Sequence, residues 1–151
     1  MELAHNIVVL VADGRKLLFL RNEGDAAHPN LTVEQAEEHP NPATRDQATD
    51  AAGRASSTTP AGGTARTGSS VEPTDFHQLE EDRFAATAAD LLKTRALAHQ
   101  YDALVVVAPP KTLGELRKHY HSEVAKRVVG ELAKDLTGHP IDQIEAALKA
   151  A

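Results

Sequence analysis

The densest run of chemically capable side chains lies between Lys111 and Arg127. There Lys111, Arg117, Lys118, Lys126 and Arg127 oppose only Glu115 and Glu123, with His119 and His121 interleaved. On a chain whose formal net charge is −6, such a local excess of cations is the pattern of a phosphate-binding face. Lys111, Thr112, Arg117, Lys118, Lys126 and Arg127 are therefore the candidate contacts for RNA or a protein partner, although a solvated helix face would read the same way. A second, weaker anion cradle is offered by Arg54, Gly62, Gly63 and Arg66 in a polar stretch. His119 and His121 stand two apart, which on a helix turns them about 200° from one another, so no metal site is expected from that pair. The Asp of Asp13-Gly14 is the type a tight turn requires for its backbone. Asp13, Asp102 and Asp135 are the only acids near predicted strand ends, too sparse for a nuclease centre. Gly-x-Ser-x-Gly, Walker, dinucleotide and His-Glu-x-x-His patterns are missing, so neither catalytic residues nor a cofactor are expected.

Composition narrows the classes further. The 151 residues are 41% hydrophobic, enough for one domain with a real core, but only 3% aromatic and without Trp. The core must then be Val, Leu, Ile and Ala, and a base-stacking platform for single-stranded nucleic acid cannot be assembled. Zero cysteines excludes disulfide scaffolds and thiolate metal sites. The apolar run from Ile7 to Ala12 is cut by Asp13, Arg15 and Lys16 before a leader or membrane span is complete, which makes the cytoplasm the expected location.

The elements that must position these residues follow from hydrophobic patterning. Ile7 to Val11 and Leu17 to Leu20 flank Asp13-Gly14, the signature of an antiparallel hairpin closed by a type I′ turn. Leu31 to Glu37 is a further strand, with imperfect alternation. From about 39 to 74 the chain turns to Pro, Thr, Ser, Gly, Ala and Asp, which predicts a long mobile polar loop. Asp75 with Gln78 opens a helix that places Phe84, Ala85, Ala88, Leu91, Leu92 and Ala96 on one face. Leu104 to Ala108 is uninterruptedly apolar, as a strand covered on both faces must be, and Pro109-Pro110 ends it. Thr112 and Glu115 make a capping box for the next helix, which turns Leu113, Leu116 and Tyr120 to the sheet. Val124 to Leu136 fits a helix by its spacing and a strand by Val128-Val129. Pro140 suits the first position of a last helix carrying Ile141, Ile144 and Leu148. The basic run thus opens beyond the carboxyl end of a central strand and at a helix N-terminus, where anions gather in open α/β sheets.

Four groups of residues resemble the bacterial host attachment family. They are Val11-Ala12-Asp13-Gly14, Gly53-Arg54, Arg83-Phe84-Ala85, and the continuous stretch from Leu104 through Pro109-Pro110-Lys111-Thr112-Leu113-Gly114-Glu115-Leu116-Arg117, followed by Lys134-Asp135-Leu136-Thr137 and Pro140. Members of that family resemble the middle domain of archaeal and eukaryotic translation release factors. The resemblance implies an α/β fold related to ribonuclease H, with a mixed sheet flanked by helices, and it places a strand within about 128 to 133. His5-Asn6 stands where the family usually has an aromatic residue. Release factors use a Gly-Gly-Gln loop, whereas here Gly62-Gly63 is followed by Thr64. Together with the basic face and the polar loop, the resemblance points to a non-enzymatic interaction module engaging the ribosome, transfer or ribosomal RNA, or a protein partner through those two regions. A degenerate peptidyl-tRNA hydrolase and an attachment factor acting indirectly are the alternatives.

Overall fold

The computed structural model describes residues 1–38 and 73–151. The elements in chain order are strands β1 (Val8–Ala12), β2 (Lys16–Asn22) and β3 (Leu31–Glu38), helix α1 (Pro73–Leu97), strand β4 (Leu104–Val107), helices α2 (Pro110–His119) and α3 (Ser122–Ala125), strand β5 (Val128–Leu132) and helix α4 (Ile141–Ala150). The five strands form one mixed sheet in the order β3-β2-β1-β4-β5. β1 pairs antiparallel with β2 and parallel with β4, and β5 extends the parallel half.

Alternation along β1 divides the core into two layers. Val8, Leu10 and Ala12 join Leu17, Phe19, Leu104 and Val106 beneath α1, α2 and α3, which contribute Phe84, Ala88, Leu92, Leu116 and Val124. Val9, Val11, Val105 and Val107 face the other way, onto Ile144 and Leu148 of α4 and onto Leu3 and Ile7. Every residue of β1 and β4 is buried, as strands covered on both faces require. This is the α/β fold of a mixed sheet flanked by helices that the hydrophobic runs imply.

Several boundaries differ from the sequence expectation. The hairpin turn is not type I′, which needs positive φ at both central residues: Asp13 and Lys16 flank it, Gly14 has positive φ (+99°), and Arg15 does not. The Asp13 carboxylate caps that turn, accepting from the Arg15 and Lys16 N–H groups at 2.8 and 2.7 Å. α1 begins at Pro73 rather than Asp75, with Pro supplying a preset φ for a first turn. The Thr112–Glu115 capping box is not formed. Pro110 starts α2, Pro109 precedes it, no side chain caps the helix, and Thr112 is buried in the first turn. Val124 to Leu136 divides into the short α3 followed by β5, and the strand that the resemblance places within about 128 to 133 is present at Val128–Leu132. Pro140 sits one residue ahead of α4. The polar stretch lies outside the described residues except for Pro73 and Thr74, which belong to α1.

Candidate phosphate-binding face

The carboxyl ends of β1 and β4 meet where the chain leaves β1 to one side and β4 to the other, the crevice position of an open parallel sheet. Three connections converge there. The Asp13-Gly14 turn follows β1, Pro109-Pro110-Lys111-Thr112 leads β4 into α2, and Asp135 to Thr137 follows β5. Thr137 Oγ1 lies 2.9 Å from both Asp13 Oδ2 and Asp135 Oδ1, so a single hydroxyl ties the β5–α4 connection to the hairpin turn. A Cβ placed on Gly14 would lie 3.5 Å from Thr112 Oγ1, which shows how closely the turn approaches the start of α2. Asp102 lies just ahead of β4, away from this rim.

α2 and α3 carry the cations outward, and each cation meets a carboxylate. Lys111 Nζ is 3.1 Å from Glu81 of α1, Lys118 Nζ is 3.1 Å from Glu115, and Lys126 Nζ is 3.1 Å from Glu123. Arg117 engages Glu131 of β5 through Nε and Nη2. These four side chains are more than half exposed. Arg127 differs, being only 11% exposed, and donates to the Tyr101 carbonyl and to the carbonyl and carboxylate of Glu123. It therefore locks α3 and β5 to the connection ahead of β4. Five carboxylates, Glu81, Asp82, Glu115, Glu123 and Glu131, surround these five cations, three more than the local sequence offers. Hydrogen bonds from Lys118 and then Gln78 hold the Glu115 carboxyl below the usual glutamate range, and Arg127 and Lys126 do the same for Glu123.

The two interleaved histidines go separate ways. His121 precedes α3 and its Nδ1 accepts from the Glu123 N–H at 3.0 Å, an N-cap role. His119, in the last turn of α2, faces α1 instead, with Nε2 at 3.0 Å from Asp82 Oδ1. The sequence pairing of His119 with His121 missed this, because Asp82 is remote in sequence and lies on another helix. Arg54, Gly62, Gly63 and Arg66 lie outside the described residues. At the far rim a cleft of about 480 Å³ is lined by Arg21, Glu34, Arg95 and Gln100. Its charges are mutually engaged: Glu34 receives both arginines, and Arg95 stacks 4.4 Å above the Phe19 ring. No described helix is long and apolar enough to cross a membrane.

A family model described as bacterial archaeo-eukaryotic release factor family 12 matches residues 6–148. An uncharacterized protein of Rickettsia prowazekii (strain Madrid E) is 36% identical over 86 residues, 55% of this chain and 57% of that protein. The chain thus spans little more than half the length of that curated relative. Because the family match runs from the residues just before β1 to the last helix and takes in every connection at the rim, the chain belongs to bacterial archaeo-eukaryotic release factor family 12.

Proposed function

We propose that this protein is a non-enzymatic module that docks on the ribosome or its RNAs through the α2–α3 face. The observation that carries the reading is the set of four exposed cations, Lys111, Arg117, Lys118 and Lys126, displayed beyond the carboxyl end of β4. Partly exposed ion pairs are individually weak, about 0–1 kcal/mol, so a phosphate can take the place of the carboxylate at Lys111, Arg117 and Lys126, while Lys118, paired with the buried Glu115, has its own side chain open to a phosphate. Thr112, in the first turn of α2, and Arg127, held inward by the Tyr101 carbonyl and Glu123, complete the proposed contact set. Lys111 and Thr112 also head a helix that no side chain caps, an arrangement favourable to an anion. The stretch carrying Arg54, Gly62, Gly63 and Arg66 is the second contact region, between β3 and α1. The strand order, antiparallel on one side and parallel on the other, supports a ribonuclease H-like architecture.

Thr64 stands where release factors place Gln, so the water-positioning group of peptide release is absent from Gly62-Gly63-Thr64 and binding without hydrolysis is the role proposed. Such a role belongs in the cytoplasm, and any effect on attachment to host cells would follow indirectly from it. The test is co-sedimentation with ribosomes at low salt. Combined Lys111→Glu, Arg117→Glu, Lys118→Glu and Lys126→Glu substitutions should abolish it, and undiminished binding by a folded variant overturns the proposal. A peptidyl-tRNA hydrolysis assay should give no turnover; hydrolysis that Gly63→Ala abolishes would favour a degenerate hydrolase instead.

A further inference from the structure

Two helix-spaced pairs of donors face each other across the α1–α2 contact. Gln78 and Asp82 are four residues apart on α1, and Glu115 and His119 are four apart on α2, so each pair projects from one side of its helix. One donor atom each from Asp82, Glu115 and His119 lies within 4.8 Å of the other two. His119 Nε2 is already 3.0 Å from Asp82 Oδ1, and the Gln78 amide reaches Glu115 Oε1 at 3.2 Å. We propose that Asp82, Glu115 and His119, with Gln78 as a fourth donor, bind a divalent transition-metal ion, for which zinc is the natural probe.

Two carboxylates offset the charge of such an ion, and the imidazole selects zinc or its neighbours over magnesium and calcium, which prefer all-oxygen shells. The convergence of two i,i+4 pairs from separate helices distinguishes this group from exposed acids gathered by chance. Glu115 is 8% exposed, and a carboxylate so far from water needs strong compensation. Lys118, the cation that supplies part of it, has a side chain more than half exposed, so another cation can take its place. Gln78 presents its oxygen after a half-turn of its terminal amide. A bound ion would pin the first half of α1 to the last turn of α2. This inference does not depend on RNA binding.

The full-length chain, stripped of metal with a chelator, is titrated with Zn²⁺ by calorimetry and with Co²⁺ by visible absorption. One equivalent of Zn²⁺ should bind and raise the melting temperature. His119→Ala, Glu115→Gln and Asp82→Asn should each weaken binding by at least about tenfold, the scale on which even outer partners of a metal act. Lys118→Gln, which removes the competing ammonium, should tighten it. Because the chain has no cysteine, His119→Cys introduces a lone thiolate, and a sulfur-to-cobalt charge-transfer band would identify position 119 as a ligand. The proposal is overturned if Zn²⁺ does not bind stoichiometrically, if Asp82→Asn and His119→Ala bind it as well as the parent, or if His119→Cys gives no such band. Asp82 is exposed, so its substitution keeps the test open should the α2 variants misfold.

Discussion

Asn22 is fully buried, and its side chain uses both ends. Nδ2 donates to the carbonyls of Leu3 at 2.7 Å and Ala4 at 3.1 Å, while Oδ1 accepts from the Gly24 and Asn30 N–H groups at 2.9 and 2.8 Å. One amide thereby fastens the segment before β1 to the turn between β2 and β3. Asn22→Ala leaves several buried backbone groups without partners, each costing about 1–3 kcal/mol. We expect a loss of about 2–4 kcal/mol in urea unfolding, with Asn22→Asp as damaging because a carboxylate cannot donate to Leu3 and Ala4. A loss below about 0.5 kcal/mol would show that surrounding water takes over those bonds. Nothing in the sequence singles out this residue, since its partners Leu3, Ala4 and Asn30 are assembled only by the fold. Gly14 was easier to read, because Asp-Gly between apolar runs announces a turn. The turn's type was not legible, because it depends on which residue of the pair joins the strand ladder.

Between elements, ionised glutamates serve as ties. Glu34 of β3 receives Arg21 of β2 and Arg95 of α1, Glu115 of α2 receives Gln78 of α1, and Glu123 holds Arg127 at the entry to β5. All three are held below the ordinary value of 4.5: by Arg21 foremost for Glu34, by Lys118 foremost for Glu115, and by Arg127 foremost for Glu123. A depressed carboxyl stabilises the fold above its unfolded value, and that contribution is lost as pH falls through the folded values. Stability should therefore stay level from neutral pH to about pH 5 and decline below about pH 4.5, with Glu34→Gln flattening the decline in urea unfolding measured across that range. An unchanged acid profile in that variant would remove Glu34 from the account. Burial acts at the other extreme, pushing the Tyr101 hydroxyl up to about 12 while it donates to the Leu92 carbonyl at 2.9 Å. The elements themselves were largely legible, because β1 and β4 are apolar throughout and α1 repeats its apolar residues at helical spacing. The start of α2 was not, since a Thr–Glu pair that matches a capping box lies inside a helix begun by Pro110, and Glu115 is turned to Lys118 and Gln78 instead.

Across the whole molecule, the balance of charge decides how the α2–α3 face works. A reading along the chain sets five cations against Glu115 and Glu123, but the fold brings Glu81, Asp82 and Glu131 to the same surface from α1 and β5. The face is thus neutralised at rest, as suits a chain of net charge −6. If phosphates displace these carboxylates, then removing a carboxylate should strengthen binding, an effect opposite to that of removing a cation. Glu81→Gln and Glu131→Gln free Lys111 and Arg117 respectively, and each exposed pair broken beforehand is worth up to about 1 kcal/mol, or about fivefold in affinity. The double variant should therefore bind ribosomes or transfer RNA more tightly in low-salt co-sedimentation or filter binding. With four exposed cations meeting phosphates, the parent should lose affinity with salt at a slope of roughly −3 on logarithmic axes for single-stranded RNA. If the double variant binds no better than the parent while the charge-reversed variant still fails, the carboxylates are bystanders and phosphates reach the cations without exchange. If neither variant differs from the parent, contact with RNA lies elsewhere on the molecule.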